Sequence, residues 1–200
     1  IVLASVLDQP ADDPLGLTRL QFDADPYQTT PQATRFNTRK TLSQQQAGAR
    51  WTHRFAATGP LAESAVTAYF GERAVTQWLA IEAGTQGNPR HGGGVIDFDR
   101  SYDGVDARLT WRVGRAALVT GAAIERQRDD RRGFLNYPGT VAAPTYGVIG
   151  ELRRDENNSA TSRDLYAQAE VPLGESFAVS GGVRVGKVKL KASDAFLSNG

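Results

Sequence analysis

Residues 105–113 read Val-Asp-Ala-Arg-Leu-Thr-Trp-Arg-Val, and this stretch decides the fold. Apolar and polar side chains alternate with a period of two, so that Leu109 and Trp111 share one face while Arg108 lies on the other. This period is typical of a β-strand with one apolar and one polar face. The stretch ends at Gly114-Arg115-Ala116, which predicts a tight turn into an antiparallel partner strand.

The same alternation recurs along the chain and predicts seven strands, while a 3.6-residue helical period is nearly absent. The predicted strands cover roughly Ile1–Asp8, Thr41–Phe55, Ser64–Ile81, Val95–Val113, Ala117–Arg128, Asp164–Leu173 and Phe177–Lys191. The predicted fold class is therefore all-β, an antiparallel meander of about seven strands that forms part of a large transmembrane β-barrel.

The membrane assignment depends on the connections, because long and short ones alternate strictly. The long connections are Gln9–Lys40, Glu82–Gly94 and Asp129–Arg163, and the short ones are Ala56–Glu63, Gly114–Ala116 and Gly174–Ser176. In an antiparallel meander this alternation places every long connection at one edge of the sheet. Long external loops opposite short periplasmic turns are the layout of outer-membrane barrels.

The strand faces support the same interpretation. The clean alternation lasts about ten residues from each short turn, the length that a tilted strand needs to cross a bilayer. Farther out the strands carry charges such as Asp97, Asp99 and Lys187. Strands of this kind project above the membrane, as in a large barrel. A soluble antiparallel sheet with one hydrated face gives the same alternation and stays open as an alternative.

Composition excludes several classes of function. The 200 residues include 23 Lys and Arg against 22 Asp and Glu, a net charge of +1, which argues against nucleic-acid binding. There is no Cys, and the two histidines, His53 and His91, lie in separate segments, so no metal site is predicted. No Gly-x-Ser-x-Gly motif occurs. Asp97 and Asp99 are expected to be solvated and balanced by Arg100 and Arg108. We predict neither an enzyme nor a bound cofactor.

Several motifs, in their order along the chain, resemble those of TonB-dependent outer-membrane receptors, in particular the subfamily that imports pyrroloquinoline quinone. They are Ala11–Thr18, Asn37–Thr41, Gln44–Gly48, Tyr69–Arg73, Gly93–Ile96, Tyr102–Asp106, Tyr146-Gly147, Gly150–Glu156 and Gly181–Arg184. The resemblance spans nearly the whole chain but only the early to middle part of the receptor's barrel. Residues 1–200 are therefore expected to form one partial barrel domain.

The resemblance implies a barrel of about 22 strands, occluded by a plug domain and energised through TonB. The plug and the remaining strands are expected to lie outside residues 1–200. The implied partners are TonB through that plug, outer-membrane lipid and a small-molecule ligand. The implied location is the outer membrane.

The fifth connection along the chain, Asp129–Arg163, is the predicted place of ligand binding, because it combines arginines with tyrosines. Guanidinium groups bind carboxylates in a bidentate manner, and aromatic rings offer a flat surface, which suits a planar tricarboxylate such as pyrroloquinoline quinone. The candidate ligand-binding residues are Arg131, Arg132, Tyr137, Tyr146, Arg153, Arg154 and His91. A purely structural role, in which the arginines pair with neighbouring carboxylates, is the alternative for each of them.

The predicted function is active import of a scarce solute through TonB, with pyrroloquinoline quinone as the first candidate. A ferric siderophore is the second candidate within the same class. A passive porin-like barrel and a soluble β-rich binding module are the alternatives from other classes.

Overall fold

The computed structural model describes residues 1–194, which form one antiparallel sheet with strand order β1-β2-β3-β4-β5-β6-β7. The strands are β1 (Val2–Asp12), β2 (Arg39–Arg54), β3 (Leu61–Trp78), β4 (Val95–Val113), β5 (Ala116–Phe134), β6 (Leu152–Leu173) and β7 (Phe177–Asp194), and the helices are α1 (Arg19–Ala24), α2 (Pro31–Phe36) and α3 (Ala83–Gln86). Each strand pairs with its neighbours in sequence, so the predicted all-β meander is confirmed.

The boundaries of two strands were predicted too short. β5 continues to Phe134 rather than Arg128, and β6 begins at Leu152 rather than Asp164. The added pairs are polar on both faces, as in Arg131 opposite Glu156 and Arg132 opposite Asp155. A period-two search on hydrophobicity cannot detect a strand that lacks an apolar face.

The three short helices were not predicted. They contain six, six and four residues, too few to display a helical period. Their ends nevertheless follow local rules. Thr18 and Gln21 form a capping box at the start of α1, while Thr30 caps α2 and Asn37 ends it in the left-handed conformation. No helix within residues 1–194 is long and apolar enough to cross a membrane.

The sheet has two distinct faces, which we call outer and inner. The outer face carries Leu109 and the side chains in phase with it, and the inner face carries Arg108 and those in phase with it. On the outer face Phe70, Leu165 and Val183 remain about two-thirds exposed. Within residues 1–194 no second layer covers them, so the apolar side of the sheet is not buried in a sandwich.

The alternation of long and short connections is confirmed. Gly114 and Gly174 have φ values of +62° and +75° at the starts of the two tightest turns, a conformation that glycine adopts without a steric penalty. The three long connections lie at the opposite end of the strands. They comprise residues 13–38, 79–94 and 135–151, and we call them together the loop cap.

Candidate functional site

The loop cap contains the best-packed part of the described chain. Phe36, Val95 and Tyr137 are at most 2% exposed, and Asn136 and Gln86 are completely buried among them. The backbone N–H of Asn136 donates to Gln86 Oε1 at 2.9 Å, and Asn136 Nδ2 donates to the carbonyl of Leu79 at 3.0 Å. The three long connections therefore interlock into one unit.

Tyr137 lies in the interior of this loop cap, and the partly buried Tyr146 packs against it. Tyr137 is 1% exposed and has no surface free for a ligand. Tyr146 Oη donates to Glu82 Oε2 at 3.0 Å and accepts from the Ala83 N–H at 2.8 Å. Its ring centroid lies 4.2 Å from that of Phe36. Burial of the phenol raises the pKa of Tyr146, and the bond to Glu82 acts in the same direction.

Four of the candidate arginines lie on strands rather than in the fifth connection. Arg131 and Arg132 belong to β5, and Arg153 and Arg154 belong to β6. Their placement in a loop was therefore wrong. The parts of β5 and β6 nearest the long connections are charged on both faces, so they show no apolar period. Successive strand residues point to opposite faces, so Arg131 and Arg132 face opposite sides of the sheet.

Arg132 lies on the outer face and binds carboxylates. Its Nη2 is 2.6 Å from Asp97 Oδ2 and 3.8 Å from Asp99 Oδ2. The two aspartates were expected to be balanced by Arg100 and Arg108, and this expectation is wrong because those arginines lie on the inner face. The pair predicted to be solvated is thus held by the neighbouring strand.

Arg153 and Arg154 of β6 contact the long connection formed by residues 79–94. Arg153 Nη2 donates to the carbonyl of Asn88 at 3.2 Å. Arg154 forms an ion pair with Glu156, and its Cδ lies 3.4 Å from the position that a Cβ on Gly92 would take. His91 lies in the same connection, where its Nδ1 accepts the N–H of Gly93 at 3.1 Å. All three residues therefore contact the segment 88–93 of this connection.

A second group of arginines lies on the inner face, which we call the inner arginine cluster: Arg73 of β3, Arg100 of β4 and Arg131 of β5. Arg73 is directly opposite Arg100 in the register. Arg131 lies two residues beyond Asp129, the register partner of Arg100. Three guanidinium groups thus face one side on three adjacent strands.

Within residues 1–194, Arg100 is the member of the inner arginine cluster that forms an ion pair, whereas Arg131 lies opposite Glu156 in the register and Glu156 itself pairs with Arg154. Arg100 binds Asp129 through two hydrogen bonds of 2.8 Å, and these bonds raise the pKa of Arg100. Arg73 Nε is buried without a hydrogen-bond partner, and Arg131 forms no ion pair within residues 1–194. A buried unsatisfied donor is costly, so this surface is suited to an anionic ligand.

Arg73 and Arg100 were not among the candidate residues. Both follow the inner-face phase set by Asp106 and Arg108, so extending the period of two along β3 and β4 would have found them. Their pairing across two strands depends on the register, which the sequence does not state.

Three tyrosine side chains also link strands on the inner face, and each passes over a glycine of the neighbouring strand. We call these side chains the tyrosine braces. Each hydroxyl donates to a side chain two strands away: Tyr69 to Glu125 at 2.9 Å, Tyr102 to Gln46 at 2.8 Å and Tyr166 to Asp106 at 2.9 Å. The glycines opposite them in the register are Gly104, Gly71 and Gly121. A Cβ at Gly104 would lie 2.5 Å from the Tyr69 ring, so a larger residue would displace this brace.

The region near the short turns fits a membrane boundary on the outer face. Trp51 and His53 at the end of β2 stack with ring centroids 5.9 Å apart, and Phe55 just beyond β2 meets His53 edge to face at 4.6 Å. Trp51 is 60% exposed and Phe177, near another short turn, is 76% exposed. Aromatic girdles of this kind mark the edges of the apolar band in outer-membrane barrels.

Comparison with known proteins gives an informative match among solved structures. No family model matches the sequence. Among solved structures, the sheet is similar to the ferric citrate transporter FecA in its unliganded form, with a TM-score of 0.69 and 16% sequence identity. The match covers 97% of this chain and 27% of that protein, so the chain spans about a quarter of the transporter's length.

At 16% identity this similarity shows the fold alone, and it confirms the predicted fold class as a section of a large β-barrel wall. Within residues 1–194 no group of three or more His, Cys, Asp or Glu side chains could hold a metal ion.

Proposed function

We propose that this chain is part of the wall of a TonB-dependent outer-membrane receptor that imports a scarce solute. One observation carries the proposal: a single sheet has an uncovered apolar outer face and a charged inner face, with all long connections packed at one end. That arrangement fits lipid on one side and an aqueous lumen on the other. The similarity to a ferric citrate transporter and the motif resemblance support the same class.

The larger barrel is part of this proposal. Within residues 1–194, β1 and β7 are paired on one side only. Unpaired backbone groups are costly in a membrane, so further strands are needed to close the wall. A plug domain that contacts TonB is the partner that the motif resemblance adds.

For the ligand we propose a small anionic compound rich in carboxylates, with pyrroloquinoline quinone as the first candidate. Of the candidate residues, Arg131 faces the inner side and forms no ion pair within residues 1–194, and Arg73 and Arg100 extend this surface. Guanidinium groups at neighbouring positions suit a planar tricarboxylate. Arg153, Arg154 and His91 act indirectly, because they position the connection above this surface.

A ferric chelate is the second candidate, favoured by the similarity to a ferric citrate transporter. Ferric citrate is also a carboxylate-rich anion, so the inner arginine cluster alone does not discriminate between the two. Titration calorimetry on the purified full-length protein with each compound does. Sub-micromolar binding of pyrroloquinoline quinone supports the first candidate, and binding of the ferric chelate alone supports the second.

Arg131 and Arg132 provide a matched test of the ligand surface. Both are arginines on β5, and they face opposite sides of the sheet. Arg131→Ala should weaken ligand binding by about tenfold or more, since a charge-assisted hydrogen bond is lost. Arg132→Ala should leave binding unchanged. Equal effects of the two substitutions, or none from Arg131→Ala, would contradict this ligand surface.

Uptake in cells separates active import from a passive pore. We expect solute accumulation to stop when the inner-membrane proton gradient is dissipated. Accumulation that persists without the gradient would favour the porin-like alternative.

A further inference from the structure

The outer face carries a group of cations that the import function does not use. They line a groove of about 550 Å³ across β5, β6 and β7. We call it the basic groove, and its cations are Arg126, Arg128, Arg163, Lys187, Lys189 and Lys191. All six lie in phase with Ile124, Leu165 or Val185 on their own strands, so they project from the same face as the apolar side chains.

The register arranges these cations around hydroxyl groups. Arg126 is opposite Thr161, which is opposite Lys189. One step farther along, Arg128 is opposite Ser159, which is opposite Lys191. Each row therefore has a small hydroxyl on the central strand between two long cationic side chains. Because neighbouring strands lie about 4.8 Å apart, both cations of a row can reach one anion above the hydroxyl.

Among the described residues, no carboxylate lines the basic groove. The acidic neighbours are Asp103 on β4, 3.9 Å from Arg126 with about half of each side chain exposed, and Asp130, two residues beyond Arg128 on the same face of β5. An exposed pair at that distance is weak, so the groove keeps most of its positive charge.

A second observation places the basic groove at the edge of the apolar band. On each of three adjacent strands the outer face changes from apolar to cationic within two residues: Ile124 to Arg126, Leu165 to Arg163 and Val185 to Lys187. The three apolar side chains are 44–69% exposed. A cationic surface directly above an exposed apolar surface matches the headgroup level of a membrane leaflet.

We propose that the basic groove binds the phosphorylated headgroup of an anionic membrane lipid, whose acyl chains lie along the apolar outer face below it. Phosphate oxygens accept hydrogen bonds from Arg, Lys and hydroxyl groups, the three types present in each row. The proposal rests on the membrane location in the proposed function but not on import or on TonB.

The test compares lipid binding to the full-length protein in detergent, measured by native mass spectrometry. The probes are lipid A, phosphatidylglycerol and zwitterionic phosphatidylcholine. We expect the two anionic lipids to bind at concentrations at least about tenfold lower than phosphatidylcholine, because each Lys or Arg adds to the attraction of a phosphorylated surface. Inorganic phosphate, which lacks acyl chains, should displace them only weakly.

The test variant combines Lys187→Ser, Lys189→Ser and Lys191→Ser, and it should weaken binding of the anionic lipids by about tenfold or more. The matched control combines Arg50→Ser, Arg54→Ser and Arg112→Ser. It removes the same charge from the inner face near the short turns, and it should bind lipid as the unaltered protein does. The charge-preserving triple Lys→Arg variant should also retain binding.

Several outcomes would overturn the proposal. They are equal binding of anionic and zwitterionic lipids, equal losses in the two triple Ser variants, and full displacement by inorganic phosphate or by heparin. If the triple Ser variant does not fold, anionic lipid binding to the unaltered protein is measured at about 50 and 500 mM salt. The Debye length changes by about threefold over this range. Binding that is the same at both salt concentrations contradicts the proposal. Failure of ligand uptake would leave these lipid measurements intact and would count against the proposed function alone.

Discussion

The two ends of the strands are built on different principles. Near the short turns the outer face is apolar and uncovered, and the inner face carries the polar groups, as in residues 105–113. Near the long connections both faces of the strands are charged. The apolar side chains at this end lie in the loop cap, where Phe36 and Tyr137 are buried. The first end therefore leaves its apolar side chains uncovered, whereas the second has a core of its own.

The largest effect should come from the core of the loop cap. Phe36 is 2% exposed, and Phe36→Ala should cost about 3–5 kcal/mol of local stability because a buried ring is removed. Hydrogen exchange should accelerate at the amides of Thr38 and Leu135, which are bonded within the loop cap, and not in β4. Phe22→Ala, at a ring that is 52% exposed, is the control and should change little. Similar acceleration in both variants would show that the loop cap has no core of its own.

The next test addresses the apolar band. Leu109→Arg places a charge on the outer face, and it should destabilise the barrel in a bilayer by about 2–4 kcal/mol. Thr110→Arg, one residue away on the inner face and opposite Glu63, should cost less than about 1 kcal/mol. Urea unfolding in lipid vesicles measures both. A similar cost at the two positions would break the assignment of faces and would favour a soluble sheet.

A third test examines the tyrosine braces of the inner face. A Cβ at Gly71 would lie 2.9 Å from the carbonyl oxygen of Gln45 and would also meet the Tyr102 ring. Gly71→Ala should therefore cost about 1–3 kcal/mol through overpacking. Gly181 has nothing within 4 Å of the same position, so Gly181→Ala should be neutral in the same urea measurement. A neutral Gly71→Ala would show that the braces carry no stability.

The smallest effect is the pH dependence of stability that comes from Tyr146 in the loop cap. Because the pKa of Tyr146 is raised in the folded protein, its contribution to stability is complete below about pH 10 and declines as the pH rises through the folded pKa. The tyrosinate absorbance removed by Tyr146→Phe should titrate above about pH 10. In the protein unfolded by urea, the same Tyr146 absorbance serves as the control and should titrate at a lower pH, near about 10. Coincident titrations would contradict the burial of Tyr146.

Sequence reasoning succeeded where one face of a strand is apolar. The strand 95–113 and the alternation of long and short connections were predicted correctly, because a period of two and positive-φ glycines are local signals. It failed at the ends of β5 and β6 nearest the long connections, where neither face is apolar. It also failed at helices of four to six residues. The four arginines were misplaced for the same reason.

The sequence by itself determined the order of the strands, their apolar and polar faces and the end at which the long connections meet, because these follow from local period and turn chemistry. Only the tertiary structure decided which polar groups meet. Arg131 and Arg132 are adjacent in sequence, yet one joins the inner arginine cluster and the other binds Asp97. Tyr137 reads as a loop residue and is instead buried in the loop cap. Such contacts depend on register and on the packing of distant segments, and neither is encoded within a short stretch of chain.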